Sequence, residues 1–285
     1  DVFGNGMLCS RAIKLVAAFD HRHVFIDPDP DPEKSYAERF RLFHAGRTSW
    51  DDYDRSVLSE GGIIAPRGAK EIQLTPQAKA VLGIPDEVEK LDGESLIRAI
   101  LTAPVDLLWN GGIGTYVKAS DETHADAGDP SNDSVRVNGA DLRCRVVGEG
   151  GNLGFTQKGR IEYALKGGRN NTDALDNSGG VDMSDHEVNL KILLNVAIES
   201  GRLDMDARNE LLEALTDDVT ELVLNNNRTQ SLAVTLDEIR AEVGYEEFQQ
   251  LMLRLERDGL IDRVGDALPT AEVLEERAAE GKTLT

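Results

Sequence analysis

Two short segments that run into glycine and a carboxamide constrain this chain more than any other feature. The first is Glu149-Gly150-Gly151-Asn152, which follows the apolar stretch Arg145-Val146-Val147-Gly148. The second is Asp176-Asn177-Ser178-Gly179-Gly180-Val181, which runs into Ser184-Asp185-His186-Glu187. Strands that end in this way are what a nucleotide-binding sheet places at its carboxyl edge, where ligands dock. The expectation is an α/β fold: a Rossmann-like doubly wound, mostly parallel sheet followed by an α-helical C-terminal segment.

Composition narrows the function classes. The chain has 285 residues, enough for one large domain or two modest ones, with 40% hydrophobic and 29% charged residues, as in an ordinary globular protein. A net charge of -21 leaves no basic face for nucleic acid or an anionic membrane. Phosphate binding is therefore expected from backbone N–H groups. Cys9 and Cys144 are the two cysteines, with no Cys/His cluster at metal-ligand spacing, so no metal site and a reduced, cytoplasmic protein are expected. No apolar run reaches membrane-span length and no signal peptide is visible. The chain begins without Met and inside a motif, so it reads as a fragment of something longer whose first strand lies outside it.

Along the chain, Gly4, Asn5 and Gly6 precede an apolar-periodic run from Met7 to Phe19 that predicts an amphipathic helix of about four turns. The segment His23-Val24-Phe25-Ile26 predicts a strand closed by Asp27. Gly6 and Asp27 lie 21 positions apart, the interval between a pyrophosphate turn and a ribose-binding acid, and a carboxylate there favours NAD over NADP. Asp27-Pro28-Asp29-Pro30-Asp31-Pro32 is held extended by its prolines. Ser35 with Glu38, and Ser49 with Asp52, have capping-box spacing, and Thr75-Pro76 begins a helix. Residues 60–92 are expected as an insertion or edge decoration. A helix over residues 94–101 leads to a buried strand, residues 105–109, that ends on Asn110, Gly111 and Gly112. Residues 119–135 form a polar loop. Thr156 caps the helix after the first signature. A strand over Asp173–Asp176 enters the second signature, and Ser184 with Glu187 forms a capping box, where a helix N-terminus can also bind a substrate carboxylate. Helices follow over about 206–224, over 236–258 capped by Thr235 and Glu238, and after Thr270. Leu232, Ile239, Phe248, Leu251, Leu255 and Leu260 are their expected buried side.

With these residues in hand, a resemblance can be stated. The segments DVFGNGML (1–8), DLLWNGGIGTYVK (106–118), GEGGNLGFTQKGRIEYA (148–164) and DNSGGVDMSDHEVN (176–189) are similar to glutamate dehydrogenases, which carry EGAN-type and NAGGV-type signatures in this order. They resemble the large bacterial NAD-specific class in particular, closely to about Asn195 and less so afterwards. The resemblance implies NAD-dependent oxidative deamination of L-glutamate to 2-oxoglutarate and ammonia, in a homo-oligomer. It divides the chain into a cofactor domain, 1–183, and a helical segment, 184–285.

The resemblance also implies roles. Gly4, Asn5 and Gly6 lie at the pyrophosphate turn and Asp27 at the adenosine ribose. Asn110, Gly111 and Gly112 run along the cofactor. Gly150 and Asn152, with Asn177, lie near the nicotinamide and its ribose, and Ser184 meets the far carboxylate of glutamate. The family's catalytic lysines and acid-base aspartate come from a domain N-terminal to this sequence, and Lys118, Lys158 and Lys166 lie outside the substrate signatures. No catalytic residue is therefore expected here, and the isolated chain is expected to be inactive. The rival expectations are another amino-acid dehydrogenase and a non-catalytic dinucleotide-binding module.

Overall fold

Asp20 reverses the chain. Its Oδ1 accepts from the N–H groups of Arg22 (2.6 Å) and His23 (2.7 Å), an aspartate-closed turn that pairs β1 (Ala17–Phe19) with β2 (His23–Ile26) in antiparallel register. The run from Met7 to Phe19 is accordingly not a four-turn helix. Turns occupy its beginning, with Cys9 N–H donating to Gly6 O (3.3 Å), and its end is β1. Ladder bonds to β2 satisfy the backbone that a helix would otherwise have paired internally. This computed structural model describes residues 3, 4, 6–241 and 243–281. The chain divides into two compact units, Asp1–Asn170 and Asn171–Thr285.

In the first unit β2 is the central strand, because β3 (Ile63–Pro66) pairs antiparallel on its other side. Alternation along β2 divides its side chains between two clusters. Val24 and Ile26 join the larger cluster, while Phe25 packs with Leu42, Trp50 and Tyr53 in the smaller one. Each such burial stabilises by about 1.5 to 3 kcal/mol. Helix α1 (Pro32–Ala45) starts three residues before Ser35. Asp31 accepts from the N–H groups of Glu33 and Lys34, and Pro32 needs no partner at the first position. Ser49 and Asp52 do form their capping box, and Thr75 caps α2 (Pro76–Leu82).

Residues 60–92 are part of the core, not decoration. β3 completes the sheet, β4 (Ile72–Gln73) pairs with β5 (Lys90–Leu91), and α2 contributes Ala78 and Leu82 to the larger cluster. Helix α3 (Gly93–Leu101), capped by Asp92, adds Leu96, Ile97, Ile100 and Leu101. Parallel pairing comes next, between β6 (Leu107–Asn110) and β9 (Val146–Glu149), and between β7 (Val117–Lys118) and β8 (Val137–Asn138). β6 is half-exposed, not buried, with Leu107 48% and Trp109 43% accessible. Thr156 caps α4 (Gln157–Leu165). The unit is thus mixed α/β. Among the described residues its strands form four small sheets, two with antiparallel and two with parallel pairing.

The second unit is helical: α5 (Asp173–Asp176), α6 (Ser178–Glu199), α7 (Met205–Ala214), α8 (Thr216–Ala241), α9 (Tyr245–Arg257) and α10 (Ala271–Ala279). Asp173–Asp176, expected as a strand, is a helical turn, as acidic residues at a helix start favour. Thr235 lies inside α8, where its hydroxyl donates to Ser231 O (3.0 Å) and caps nothing. Thr270 does cap α10. Of the apolar residues expected to be buried, Leu232, Ile239, Leu251 and Leu260 are exposed and Phe248 and Leu255 are half-buried; the buried apolar side chains of this unit are instead Val223, Ala241 and Leu274 among the described residues. Among the described residues, no helix is long and apolar enough to cross a membrane.

Candidate functional site

Parallel pairing of β6 with β9 brings two glycine-rich exits abreast. Asn110 lies opposite Glu149 in the register, and the Gly150 N–H donates to Asn110 O (2.8 Å). Beyond the strands the two backbones touch: a Cβ on Gly151 would lie 2.6 Å from Gly112 O. The indole of Trp109 rests against three glycines. A Cβ would approach it to 2.8 Å at Gly6, 2.7 Å at Gly148 and 2.3 Å at Gly150. Gly6 also has φ +93°, a conformation that glycine adopts without strain. The turn of Gly4 and Gly6 therefore meets the β6–β9 edge through the indole of Trp109. Gly111 is half-buried beside it, and Asn5 lies outside the described residues.

Glu149 holds this edge together. It is fully buried, and its carboxylate takes Arg160 Nε at 2.6 Å and Nη2 at 3.0 Å, plus the Phe155 N–H at 3.1 Å. A bidentate ion pair that also ties down the loop's far end fixes the path of residues 150–155. Arg160 escaped the sequence analysis because nothing in its spacing from Glu149 marks a pair. Leu153, inside that loop, adopts φ +60°. Asn152 is exposed on it.

Two buried polar atoms lack partners, one on Asn110 at the end of β6 and one on Asp27 at the end of β2. Asn110 Nδ2 has no hydrogen-bond acceptor, and Gly154 passes so close that a Cβ there would lie 1.8 Å from it. Asp27, at the end of β2, is completely buried. Its Oδ1 accepts from the Ser59 N–H (3.0 Å) and from the Ser59 hydroxyl, while Oδ2 accepts nothing. An unpaired buried donor or acceptor is costly. A ligand with hydroxyls beside Asp27 and a carbonyl or hydroxyl beside Asn110 relieves both. The ribose and amide groups of a dinucleotide have this chemistry, so the residues present fit NAD.

Asn177 and Ser184 lie in the second unit. Asn177 caps α6 through its backbone, its carbonyl accepting from the N–H groups of Gly180 (3.1 Å) and Val181 (3.2 Å). Asn227 of α8 donates to Ser178 Oγ (2.8 Å) and to Leu175 O (2.9 Å), and Gly179 passes close to it. Gly179 of the second signature thus permits a close helix–helix approach. Ser184 is one turn inside α6, its hydroxyl donating to Val181 O (2.8 Å). It caps no helix, because α6 is already running when the chain reaches it.

Lys118 and Lys166 are occupied elsewhere. Lys118 Nζ donates to Asn138 Oδ1 (2.7 Å) and Ala119 O (3.0 Å), and Lys166 donates to Ala140 O. Cys144 is buried against Tyr163, whose hydroxyl donates to Cys144 O (3.1 Å). Burial pushes both the thiol and the phenol up, so neither serves as a nucleophile or base near neutral pH.

The profile of the family described as bacterial NAD-glutamate dehydrogenase, catalytic domain, matches residues 1–237. The chain belongs to this family. Across its whole length it is 54% identical to the NAD-specific glutamate dehydrogenase of Pseudomonas aeruginosa, 53% to that of Halomonas elongata and 50% to that of Mycobacterium tuberculosis. It spans 18% of the length of each of these relatives.

Proposed function

We propose that this chain supplies the cofactor half of an NAD-specific glutamate dehydrogenase, a Rossmann-like domain over residues 1–183. The pairing of the Asn110-Gly111-Gly112 and Gly150-Gly151-Asn152 exits, with the Gly4–Gly6 turn against the same indole, carries this proposal. When bound, NAD accepts a hydride from the Cα of glutamate. The chain's own residues bind and orient. Gly4, Asn5 and Gly6 admit the pyrophosphate, Asp27 Oδ2 accepts from the adenosine ribose, Asn110 Nδ2 donates along the cofactor, and Gly150 leaves space beside it. Asn152 is assigned to the nicotinamide end. For Asn177 and for Ser184 as a contact to the substrate carboxylate, family resemblance carries the assignment alone. A homo-oligomer is proposed on the same basis.

Family resemblance assigns the proton-transfer groups to residues outside this sequence, so the purified chain is expected to show no glutamate dehydrogenase activity. Steady turnover of glutamate with NAD by the chain alone would contradict this division of labour. The cofactor assignment has its own test. In the longer enzyme, Asp27→Ser removes the carboxylate that opposes a 2′-phosphate, and kcat/KM for NADP relative to NAD should rise roughly tenfold, the response to about 1.4 kcal/mol of relieved repulsion. An unchanged ratio would make Asp27 a buried partner of Ser59 and nothing more.

A further inference from the structure

Arg39 has an unclaimed binding edge. It lies on α1, entirely buried, with Nη1 donating to Ser35 Oγ (2.9 Å) while Nε and Nη2 have no acceptor. Nε and Nη2 form the side-on fork of a guanidinium, and this chain shows twice what that fork takes. Arg41 clasps Glu38 through Nε (2.8 Å) and Nη2 (2.6 Å), and Arg160 clasps Glu149 through the same two nitrogens. In a chain with 52 acidic and 31 basic residues, the most deeply buried arginine has received no carboxylate. The ionisable groups around it are the hydroxyls of Tyr53 and Tyr36 and the thiol of Cys9. A buried cation without an anion is unfavourable, and burial pulls the Arg39 pKa down accordingly.

The surroundings say which anion fits. Cys9 follows the Gly4–Gly6 turn, is exposed, and is among the groups that act electrostatically on Arg39. Tyr53 donates to the same Ser35 Oγ that Arg39 uses (3.4 Å), and its ring packs against Phe25 (5.1 Å between centroids), two residues before Asp27, and against Trp50 (5.9 Å), which itself packs against Phe3 (4.9 Å), the neighbour of Gly4. Arg39 is thus flanked by the elements assigned above to the phosphates and to the adenosine ribose. We propose that the Nε–Nη2 edge of Arg39 binds phosphate oxygens of the dinucleotide, a side-chain anchor added to the backbone N–H groups of the glycine turn. The proposal rests on the cofactor assignment for the identity of the ligand. Planar bidentate recognition of phosphate is the chemistry for which arginine is suited. It adds a side chain where the acidic composition alone leads us to expect backbone groups.

The test uses the 285-residue chain with 15N-labelled arginine, the Arg39 Nε–Hε resonance being assigned with Arg39→Lys. Inorganic pyrophosphate and ADP should shift that resonance and slow its hydrogen exchange, whereas adenosine should leave it in place. By calorimetry, Arg39→Met should weaken pyrophosphate binding by at least roughly tenfold, as loss of a charge-assisted bidentate contact would. An Arg39 resonance unmoved by saturating pyrophosphate, or equal pyrophosphate affinity in a folded Arg39→Met chain, overturns the proposal. Should Arg39→Met fail to fold, the resonance of the unsubstituted chain decides. NAD binding with Arg39 unmoved refutes this contact alone. A response to pyrophosphate without any NAD binding refutes the dinucleotide as ligand, and the cofactor assignment with it, while leaving an oxyanion site.

Discussion

Glu149→Gln is expected to lower the unfolding free energy of the first unit by about 3 kcal/mol, the lower end of what removing one partner of a buried ion pair costs. The reason is local. Arg160 is only 7% exposed at its side chain and has its fork on the Glu149 carboxylate, so the substitution leaves a buried cation facing an amide whose N–H₂ cannot accept. The same change also weakens the tie to the Phe155 N–H, and with it the loop that carries Asn152. Both tryptophans of the chain, Trp50 and Trp109, lie in the first unit, so urea unfolding followed by tryptophan fluorescence reports it specifically. Asp106→Asn is the control. Its pair with Arg145 is exposed on both sides and should change stability by less than about 0.5 kcal/mol. A loss below about 1 kcal/mol for Glu149→Gln, measured beside that control, would contradict the ion pair's role.

Gly151→Ala should separate the two exits. Its new Cβ would meet the Gly112 carbonyl at 2.6 Å, and backbone cannot rotate away as a side chain can. Forced shifts of this kind cost about 1 to 3 kcal/mol. Because the strain falls on the loops and not on the strands, it should appear mainly as lost NAD affinity, roughly tenfold or more. Gly46→Ala makes a suitable comparison in stability only, since nothing lies within 4 Å of a Cβ there although φ is +67°. If Gly151→Ala binds NAD as well as the parent does, the touching of the exits is not what shapes the site.

Capping patterns show why some of this was legible in the sequence. Ser49, Thr75, Thr156 and Thr270 all cap helices, each preceded by chain that is not helical. Ser184 and Thr235 have the same downstream spacing, yet each donates to a carbonyl one turn back within a running helix. The spacing is therefore ambiguous until the upstream residues are known, and Ser178 and Thr216, where α6 and α8 begin, carry no stronger signal than they do. The hairpin at Asp20 was missed for a related reason: the period from Met7 to Phe19 suits a helix, and only the pairing with β2 decides against it.

At the site, the glycines were legible by type and their neighbours were not. Strand-end glycines at Gly111, Gly112, Gly150 and Gly151 announce close backbone approach, and the β6–β9 register delivers it. What brings Gly6 to the same place is Trp109, whose indole fills the space that three absent side chains leave. Arg39 and Arg160 look alike in sequence, as arginines within helices, yet one has a buried carboxylate and the other has none. Such long-range partners carry no periodicity and no fixed spacing, and so leave no trace for sequence patterns to find.

The central claim is that the glycine exits of β6 and β9, with the Gly4–Gly6 turn, hold NAD. The most direct measurement is an NAD titration of the chain labelled with 5-fluorotryptophan, following the 19F resonance of Trp109 assigned by Trp109→Phe. The account predicts a saturable shift of that resonance with NAD, weaker with NADP and weakened further by Gly151→Ala. A Trp109 resonance that stays in place at saturating NAD would contradict it.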